Sequence, residues 1–475
     1  MKITFVVSES HPYIKTGGLG DVVGSLPKYL KKENLDISLI IPFYKKIKEK
    51  NLNLEYVTDI EIKLNENFLN FKVLREKDNN DFNIYFLEND PLFLRDGIYN
   101  ENNIDYKDNH LRFGSFSLAS LKFVKDHIKS DIIHIHDWQT SFLSIYNKIL
   151  NGYNFKTILT IHNLAYQGLF EKNSLNELSF PDYLYSIEYL EFYGKVNFLK
   201  GGIIFSDIIT TVSPTYSKEI QKSEFGFGLD GVLKSNSYKI YGILNGIDYD
   251  YWNPEKDSYI YKNYNTLTFS DKLINKKFLY DELSLNFDIN LPLYSMITRI
   301  TDQKGIDLIL NIFEKLMNEN LYLIILGTGD KNYEDILNFY NEKYKDKYKF
   351  LNRFDEVLSH KIYASSDFFI MPSKFEPCGL SQMISLRYGT IPIVRSTGGL
   401  RDTIVEYNDR VNCGNGFVFY DYDGEDLYDA IKRSLILYRD KEKLHKVIKI
   451  GMNSDFSWER SVKEYIEIYK KLILI

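Results

Sequence analysis

The stretch of residues 367–394 constrains the fold most, because it carries the pattern of a strand, a tight turn, a helix and a second strand. The apolar run Phe368–Met371, which precedes a proline, is typical of a strand buried in a parallel sheet. The apolar spacing of residues 380–388 predicts a helix directly after the turn. Glu376 is therefore expected at the carboxyl end of a strand, where ligands bind in doubly wound sheets.

The turn that carries Glu376 allows two interpretations. Free N–H groups at the start of a helix attract anions, so this carboxylate could contact a sugar while the helix start contacts a phosphate. Alternatively, the Glu376 side chain only stabilises the first turn of its own helix, which is worth roughly 0.3–1 kcal/mol. The turn taken alone favours the second interpretation.

The same alternation of strands and helices runs through two successive parts of the chain. The first part begins with a strand at residues 3–7 and a glycine-rich loop, KTGGLGD, at residues 15–21. The second part begins with a strand at residues 293–299, and the Pro-bounded segment 240–254 is the expected crossing between domains. Alternating residues between 55 and 88 suggest antiparallel additions to the first sheet. Two Rossmann-like domains that face each other across a cleft are expected.

The glycine-rich loop predicts close contact with a ligand. Gly17, Gly18 and Gly20 allow positive φ angles and a close approach of the backbone, and Lys15 adds a mobile cation for phosphate. The loop matches neither the dinucleotide fingerprint nor the P-loop, so neither of those mechanisms is assumed.

Polar residues at other predicted strand ends also allow two interpretations each. His134 and His136 share one face of a strand and are either a metal-binding pair or buried histidines with hydrogen-bond partners, and the second is favoured because no third ligand follows. His162 either contacts a reacting group or caps its loop, and the cap is favoured for the isolated residue. Arg299 and Lys304 either embrace a diphosphate or are solvated surface charges.

Composition excludes several classes of protein. The chain has 475 residues and a net charge of −6, which argues against a general binder of nucleic acids or anionic membranes. Its two cysteines provide neither a disulfide framework nor a cysteine-rich zinc site. The first apolar run is too short for a signal peptide, and no run approaches the roughly 20 residues that span a bilayer. A cytoplasmic location is expected.

Taken together, the motifs resemble one family, the bacterial glycogen synthases and plant starch synthases, which are ADP-glucose glucosyltransferases. The resemblance covers nearly the whole chain. It is carried by KTGGLGDV at 15–22, HDW at 136–138, IHNLAYQG at 161–168, NGIDYDYWNP at 245–254, TRITDQKGIDL at 298–308, PSKFEPCGL at 372–380 and STGGLRDT at 396–403.

The resemblance implies an α/β protein with the GT-B fold, in which two Rossmann-like domains face a central cleft. Residues 1–244 are expected to form the acceptor-side domain, joined by a C-terminal helix at 457–475, and residues 245–456 the donor-side domain. The implied reaction transfers glucose from ADP-glucose to the nonreducing end of an α-1,4-glucan, such as glycogen, with retention at the anomeric carbon. No metal, cofactor, nucleic acid or membrane is expected, and the oligomeric state is left open.

The resemblance also implies roles for individual residues. Those expected to act in catalysis are Glu376, Arg299, Lys304, His162 and Asp137. Those expected to bind the donor are Lys15, Gly17, Gly18, Asp21, Asn245, Phe354, Cys378, Gly379, Leu380 and Ser381.

Some positions depart from the family pattern. Phe354 stands where the family commonly has a tyrosine stacked on adenine, so stacking is retained but the hydroxyl is lost. Lys374 replaces a usual arginine and Ser381 a usual threonine. Ile384 shows that the paired-glutamate pattern of a related glycosyltransferase group is absent.

Three rival functions remain. The chain could use UDP-glucose or another acceptor, or it could be a glycoside hydrolase with Glu376 and Asp137 as paired carboxylates. It could also be an inactive glucan-binding protein, although none of the expected catalytic residues is missing.

Overall fold

The structure is a computed structural model that describes residues 1–474 apart from residues 80, 102, 103, 287 and 412. The chain forms two compact units. The first unit contains Met1–Asn245 and Trp458–Ile475, and the second contains Gly246–Ser457. Each unit is built around its own parallel sheet, with helices packed on it.

The strands of the first unit lie in one large sheet and two small ones. They are β1 (Lys2–Val6), β2 (Asp36–Pro42), β3 (Leu54–Leu64), β4 (Asn67–Glu76), β5 (Asn83–Glu88), β6 (Asn100–Glu101), β7 (Ile104–Asp105), β8 (Ile132–His136), β9 (Lys156–Ile161), β10 (Leu169–Phe170), β11 (Glu191–Phe192), β12 (Lys195–Asn197), β13 (Ile208–Thr211) and β14 (Ile240–Gly242). The large sheet has the order β14-β13-β9-β8-β1-β2-β5-β4-β3.

Seven neighbouring strands of this sheet, from β14 to β5, run parallel. The last two, β4 and β3, are antiparallel additions, as the alternating residues 55–88 predict. β8 is buried along its whole length because helices cover both faces of the sheet.

The second unit has one sheet of six parallel strands. They are β15 (Leu293–Ile297), β16 (Tyr322–Leu326), β17 (Tyr348–Leu351), β18 (Phe368–Met371), β19 (Ile391–Arg395) and β20 (Phe417–Phe419). Their order is β17-β16-β15-β18-β19-β20. This is the strand order of the doubly wound dinucleotide-binding fold.

Helices connect these strands in both units. They are α1 (Gly18–Lys32), α2 (Lys45–Lys48), α3 (Asp90–Phe93), α4 (Asn109–Phe123), α5 (Asp137–Ile149), α6 (Asn173–Glu177), α7 (Phe198–Phe205), α8 (Pro214–Glu219), α9 (Asp230–Ser235), α10 (Lys272–Glu282), α11 (Ile306–Asn311), α12 (Phe313–Asn318), α13 (Lys331–Lys343), α14 (Glu356–Ser365), α15 (Ser381–Arg387), α16 (Gly398–Thr403), α17 (Gly424–Arg439), α18 (Lys441–Met452) and α19 (Trp458–Leu474).

Three helix boundaries differ from the sequence-based expectation. α1 begins at Gly18, inside the predicted glycine-rich loop. The sequence pattern predicts a helix from His360, but α14 begins at Glu356, because the Asp355 side chain accepts a hydrogen bond from the N–H of Leu358 and caps the helix earlier. The sequence also predicts one helix from the TDQKG loop to Met317, but the structure has two helices there, interrupted where Ile312 has a φ of −103° and a ψ of 6°.

The final helix, α19, belongs to the first unit and is amphipathic, as its sequence predicts. Its buried face includes Trp458, Tyr465 and Tyr469, and it packs against α1. The hydroxyl of Tyr469 lies 2.9 Å from Nδ1 of His134, which ties α19 to the centre of the sheet. Within the described residues, none of the helices has the length and apolar character needed to cross a bilayer.

Candidate functional site

Each large sheet has a topological switch point, which is the place between two neighbouring parallel strands where the strand order changes direction. In the second unit it lies between β15 and β18, which are neighbouring parallel strands. In the first unit it lies between β1 and β8. Ligands of open α/β sheets bind outside the carboxyl ends of the strands at such points. The residues that follow these four strands are therefore the candidate site of each unit.

At the second switch point, Glu376 forms a buried ion pair with Lys304. The two side-chain atoms Nζ of Lys304 and Oε2 of Glu376 are 2.6 Å apart, and the same oxygen accepts a hydrogen bond of 2.9 Å from Ser373 Oγ. The side chains are 17% and 7% exposed, respectively. Glu376 contacts these two groups and does not cap its own helix, so the capping interpretation is wrong.

Close backbone packing holds the loops around this ion pair. Gly398 has a φ of +46°, and a Cβ atom there would lie 1.9 Å from the carbonyl oxygen of Glu376. The N–H of Gly399 donates to that same carbonyl oxygen over 3.1 Å. Gly305 has a φ of +71°, and a Cβ there would lie 2.1 Å from the carbonyl oxygen of Pro372. Side chains are excluded at these positions because three loops meet backbone to backbone.

Arg299 lies two residues beyond the end of β15 and is exposed. Its guanidinium forms no ion pair or hydrogen bond with any described residue, so its donors are available to a ligand. Lys304 ends a short 3₁₀ turn, Asp302–Lys304, on the same connection. The interpretation of Lys304 as a solvated surface charge is wrong, because the ammonium group is buried against Glu376.

The other expected donor-binding residues of the second unit lie on neighbouring loops. Cys378 is buried, and Gly379 adopts a φ of +71°, while the side-chain amide of Gln382 donates to the carbonyl oxygens of both residues over 3.1 and 3.0 Å. Leu380 precedes α15, and Ser381 is its first residue and bonds to the hydroxyl of Tyr363.

Phe354 lies on the loop between β17 and α14, and its side chain is 78% exposed. An exposed aromatic ring beside the carboxyl end of a strand presents a flat surface on which a base can stack.

The first switch point carries Asp137, the first residue of α5. Its φ of +54° is unusual for a residue other than glycine. Its carboxylate accepts a hydrogen bond of 2.7 Å from the N–H of His162, the residue after β9, and a further one from the N–H of Asn163. Burial raises the pKa of Asp137 to about 7. The carboxylate thus connects two neighbouring strand ends.

His162 is half-buried and continues a column of rings formed by the buried His134 and His136. Its Nε2 lies 2.9 Å from Nδ1 of His136, whose ring stacks on that of His134 with centroids 4.5 Å apart. Burial lowers the pKa of His162 to about 3, so its imidazole is neutral. The backbone N–H of His162 donates to Asp137 and its Nε2 contacts His136, whereas its Nδ1 forms no hydrogen bond with any described residue.

His134 is a buried histidine with both ring nitrogens bonded, as favoured from the sequence. Its Nε2 lies 2.6 Å from Thr160 Oγ1, and its Nδ1 contacts Tyr469. The Nε2 of His136 is buried without a partner among the described residues. No group of three or more histidine, cysteine, aspartate or glutamate side chains in the described part of the chain is arranged to hold a metal ion.

The glycine-rich loop follows β1 at the same switch point. Lys15 Nζ lies 3.1 Å from Asp21 Oδ1, which brings two expected donor-binding residues together. Gly17 and Gly18 are exposed, and no atom lies within 4 Å of the Cβ position at either. The space beside this part of the loop is open, in contrast to the packed glycines of the second unit.

Glu9 is a buried residue beside this loop that none of the sequence motifs indicates. This buried carboxylate accepts hydrogen bonds from the backbone N–H and the hydroxyl of Thr16, and from the hydroxyl of Tyr99 over 2.9 Å. Burial raises its pKa. Glu9 therefore holds the start of the glycine-rich loop. A carboxylate placed three residues after an apolar strand was the available signal.

Asn245, the last residue of the first unit before the crossing, is buried. Its side-chain oxygen Oδ1 has no hydrogen-bond partner among the described residues. A buried amide oxygen without a partner is costly unless a ligand or water satisfies it, so Asn245 fits a ligand-binding role.

Comparison with known proteins agrees with this geometry. Residues 2–235 match the family model described as the starch synthase catalytic domain, and residues 284–453 match the model described as glycosyl transferases group 1. A glycogen synthase of Clostridium beijerinckii is 45% identical, over 99% of both chains. A glycogen synthase of Thermosipho africanus is 44% identical, over 100% of this chain and 99% of the other.

Solved structures give the same result. The catalytic domain of starch synthase IV from Arabidopsis thaliana, bound to ADP and acarbose, matches with a TM-score of 0.92 and 34% identity, over 100% of this chain and 99% of that one. The fold is therefore GT-B, with two Rossmann-like domains. The chain belongs to the glycogen and starch synthase family and is a glucosyltransferase of glucan synthesis.

Proposed function

We propose that the protein transfers glucose from ADP-glucose to the nonreducing end of an α-1,4-glucan, with retention at the anomeric carbon. The observation that carries this proposal is the buried Lys304–Glu376 pair at the switch point of the second sheet, with the guanidinium of Arg299, which has no partner among the described residues, on the same connection. The choice of ADP-glucose is supported by the related starch synthase, whose structure contains ADP and acarbose.

The proposed reaction breaks the bond between the anomeric carbon and the β-phosphate oxygen and forms a bond from that carbon to an acceptor hydroxyl. Negative charge then develops on the diphosphate and positive charge on the sugar. Arg299 and Lys304 are fixed cations for the leaving diphosphate, and the Glu376 carboxylate stabilises charge on the glucose. The leaving phosphate oxygen takes the proton of the acceptor hydroxyl on the same face of the sugar.

The residues of the first unit are suited to sugar hydroxyl groups. A neutral His162, anchored through Nε2, offers Nδ1 to a hydroxyl without adding charge. The oxygen of Asn245 offers an acceptor that has no partner among the described residues. Lys15 and the open backbone of Gly17 and Gly18 contribute to the donor pocket. Because fixed cations neutralise the diphosphate in this mechanism, no metal or other cofactor is required.

We also infer a cytoplasmic location. Neither of the two cysteines, Cys378 and Cys413, forms a disulfide in the described part of the chain, which suits a reducing compartment.

The test is incubation of the purified protein with a glucan primer and either ADP-glucose or UDP-glucose, while nucleotide release and polymer growth are followed. We expect growth with ADP-glucose, with new linkages that an α-1,4-specific exoglucanase removes. Preferential growth with UDP-glucose would overturn the donor assignment. Release of glucose or oligosaccharides without a nucleotide sugar would indicate a hydrolase, and binding of glucan without turnover would indicate an inactive protein.

A second experiment tests the role of the free guanidinium. Arg299→Met is expected to lower kcat more than it weakens glucan binding, because the cation acts on charge that develops during the reaction. Arg439→Met is the matched control, since Arg439 is also an exposed arginine of the second unit but lies at the end of α17, away from the strand ends of the switch point. An unchanged kcat in Arg299→Met would remove the assigned role.

A further inference from the structure

The first unit contains a cavity at the opposite edge of its sheet from the switch point. It is lined by Lys156, which begins β9, by Asp207 and Ile208 at the start of β13, and by Lys239, which precedes β14. These are the amino ends of parallel strands, whereas the candidate site lies at their carboxyl ends. The cavity volume is about 690 Å³, within the range of roughly 300–1,000 Å³ that holds small-molecule ligands.

The wall of this cavity is strongly positive. Four lysines, Lys148, Lys156, Lys239 and Lys471, line it together with a single carboxylate, Asp207. Asp207 is already engaged, because one of its oxygens lies 3.0 Å from Lys148 Nζ and the other accepts from the N–H of Thr157 over 2.7 Å. The carboxylate balances Lys148, and the remaining three ammonium groups have no opposite charge in the wall.

Lys239 is the most buried of these cations, with an exposure of 7%. Its ammonium donates to the carbonyl oxygens of Ile204 and Ser206 over 3.1 and 2.7 Å, at the end of α7. An ammonium group has three donors, so one N–H of Lys239 remains. The hydroxyl of Ser206 in the same wall is buried and lacks a hydrogen-bond partner among the described residues. Two buried polar groups therefore have unused hydrogen-bonding capacity beside the cavity.

The other two cations differ in what they contact. The amine of Lys156 forms no hydrogen bond or ion pair with any described residue. Lys471 donates to the hydroxyl of Tyr241 and lies near the end of α19. A ligand that binds both lysines would connect the last turns of α19 to the start of β9.

Part of the wall is apolar and aromatic. It includes Phe205, the exposed ring of Tyr238 and Leu472. A free phosphate ion would satisfy the cations but would leave most of the volume and these rings without contacts. An uncharged sugar would contact the rings but would leave the buried ammonium groups unpaired.

We propose that this cavity binds a small phosphorylated metabolite, with its phosphate at Lys156, Lys239 and Lys471 and its ring moiety against Phe205 and Tyr238. The site is separate from the donor site and does not depend on the proposed reaction. The ligand class is a phosphomonoester on a sugar or nucleoside ring. Its binding would hold α19, the helix that begins where the chain re-enters the first unit, against the sheet.

The experiment measures thermal unfolding and hydrogen exchange of the full chain with three probes: inorganic phosphate, glucose 6-phosphate and adenosine 5′-monophosphate, each at constant ionic strength. We expect a saturable rise in melting temperature with at least one of the two phosphomonoesters, larger than with inorganic phosphate. Exchange within residues 458–474 should slow at the same concentrations. The responding probe distinguishes a sugar from a nucleoside ring.

Three variants separate this site from others. Lys156→Glu should weaken binding of the responding probe by about tenfold or more, because it removes one charge-assisted contact and adds repulsion. Lys28→Glu is the control, since Lys28 is also a half-buried lysine of the first unit but lies on α1, outside the cavity. Lys304→Met, which alters the proposed catalytic site, should leave the response unchanged.

Several results would overturn the proposal. These are no response to either phosphomonoester, a response no larger than that to inorganic phosphate, or a response that survives Lys156→Glu. Loss of the response in Lys304→Met would assign the ligand to the catalytic site instead.

Discussion

The two sheets share a topology, but their switch points differ in how charge is held. In the second unit, Lys304 and Glu376 form a direct ion pair that is almost buried. In the first unit, the carboxylate of Asp137 accepts a hydrogen bond from the backbone N–H of His162, and the two side chains do not form an ion pair. Burial raises the pKa of Asp137 to about 7 and lowers the pKa of His162 to about 3.

This difference shows that the strand order and the loop side chains determine different properties of a site. Strand order decides where a site lies, because the carboxyl ends of the strands on either side of a switch point leave a crevice. The side chains of the loops then decide whether the site carries fixed charges, suited to a diphosphate, or neutral polar groups, suited to sugar hydroxyls. The same strand order thus carries two different kinds of chemistry in the two units.

The largest effect is expected from breaking the ion pair of the second unit. Lys304→Met should lower kcat roughly 10²–10³-fold, because it removes a preorganised cation from the place where negative charge develops. Steady-state kinetics with ADP-glucose and glucan measure this. Lys315→Met is the control, since Lys315 pairs with Glu425 on the surface of the same unit, with side chains 50% and 62% exposed. Equal losses in both variants would contradict the assigned role.

A double variant sharpens this test. In Lys304→Met, the Glu376 carboxylate is left buried and without its cation, which destabilises the fold. Adding Glu376→Gln removes that charge. We therefore expect the double variant to melt at a higher temperature than the single variant Lys304→Met and to have a kcat that is no higher.

In the first unit, the pH dependence of stability should change in Asp137→Asn. The pKa of Asp137 is about 7 in the folded chain and near 4 when unfolded, so the folded state holds a proton that the unfolded state releases between these values. Ionisation therefore destabilises the wild-type fold as pH rises from about 4 to about 7. The asparagine variant keeps the acceptor for His162 and should gain roughly 4 kcal/mol relative to wild type over this interval, since each pKa unit corresponds to about 1.4 kcal/mol.

Urea unfolding of both proteins between pH 4 and pH 9 measures this difference. The gap between them should grow up to about pH 7 and stay constant above it, since Asp137 is then fully ionised. A gap that does not change with pH would show that desolvation does not control this carboxylate.

Alanine substitutions of Gly398 and Gly18 compare the closely packed loops of the second unit with the open glycine-rich loop of the first unit. Gly398→Ala should lower the free energy of unfolding by about 1–3 kcal/mol and reduce activity, because the added methyl group meets the carbonyl oxygen of Glu376 in a left-handed region of the backbone. Gly18→Ala should change stability by less than about 0.5 kcal/mol, since its Cβ position is open. Equal destabilisation in the two variants would contradict this contrast.

The smallest effect is expected at Phe354. Phe354→Ala should raise KM for the nucleotide sugar about 5–10-fold with little change in kcat, because a stacked base contributes about 1–3 kcal/mol and a ring this exposed is expected at the lower end of that range. Phe339→Ala is the matched control, since Phe339 is 63% exposed on α13 of the same unit. Phe354→Tyr, which restores the residue common in the family, should lower KM for ADP-glucose relative to UDP-glucose. An unchanged KM in Phe354→Ala would remove the stacking role.

Much of the fold follows from local patterns in the sequence. The apolar runs of β15, β16 and β18 and the amphipathic face of α19 were predicted because buried strands and surface helices have short-range signatures. Helix starts were less accurate. α14 begins four residues before His360 because a side-chain cap at Asp355, rather than hydrophobic spacing, decides its first turn.

The candidate site was predictable in its residue types but not in its contacts. Glu376, Arg299 and Asp137 were identified by their places after apolar strands, and the motifs suggested their roles. Glu9 was missed, because a single carboxylate has no periodicity and its partners Thr16 and Tyr99 are separated along the chain. The packing role of Gly398 was also missed, since the atom that it must avoid belongs to a different loop.

The sequence by itself determined the alternation of strands and helices, and with it the positions at which loops follow strand ends. Only the tertiary structure decided that Lys304, rather than Arg299, pairs with Glu376. The two residues are 72 positions apart in the chain, and they come together because the strands that precede them, β15 and β18, are neighbours in the sheet. The tertiary structure also decided that burial raises the pKa of Asp137 and lowers the pKa of His162. Desolvation depends on everything packed around a group, and no local stretch of sequence contains that information.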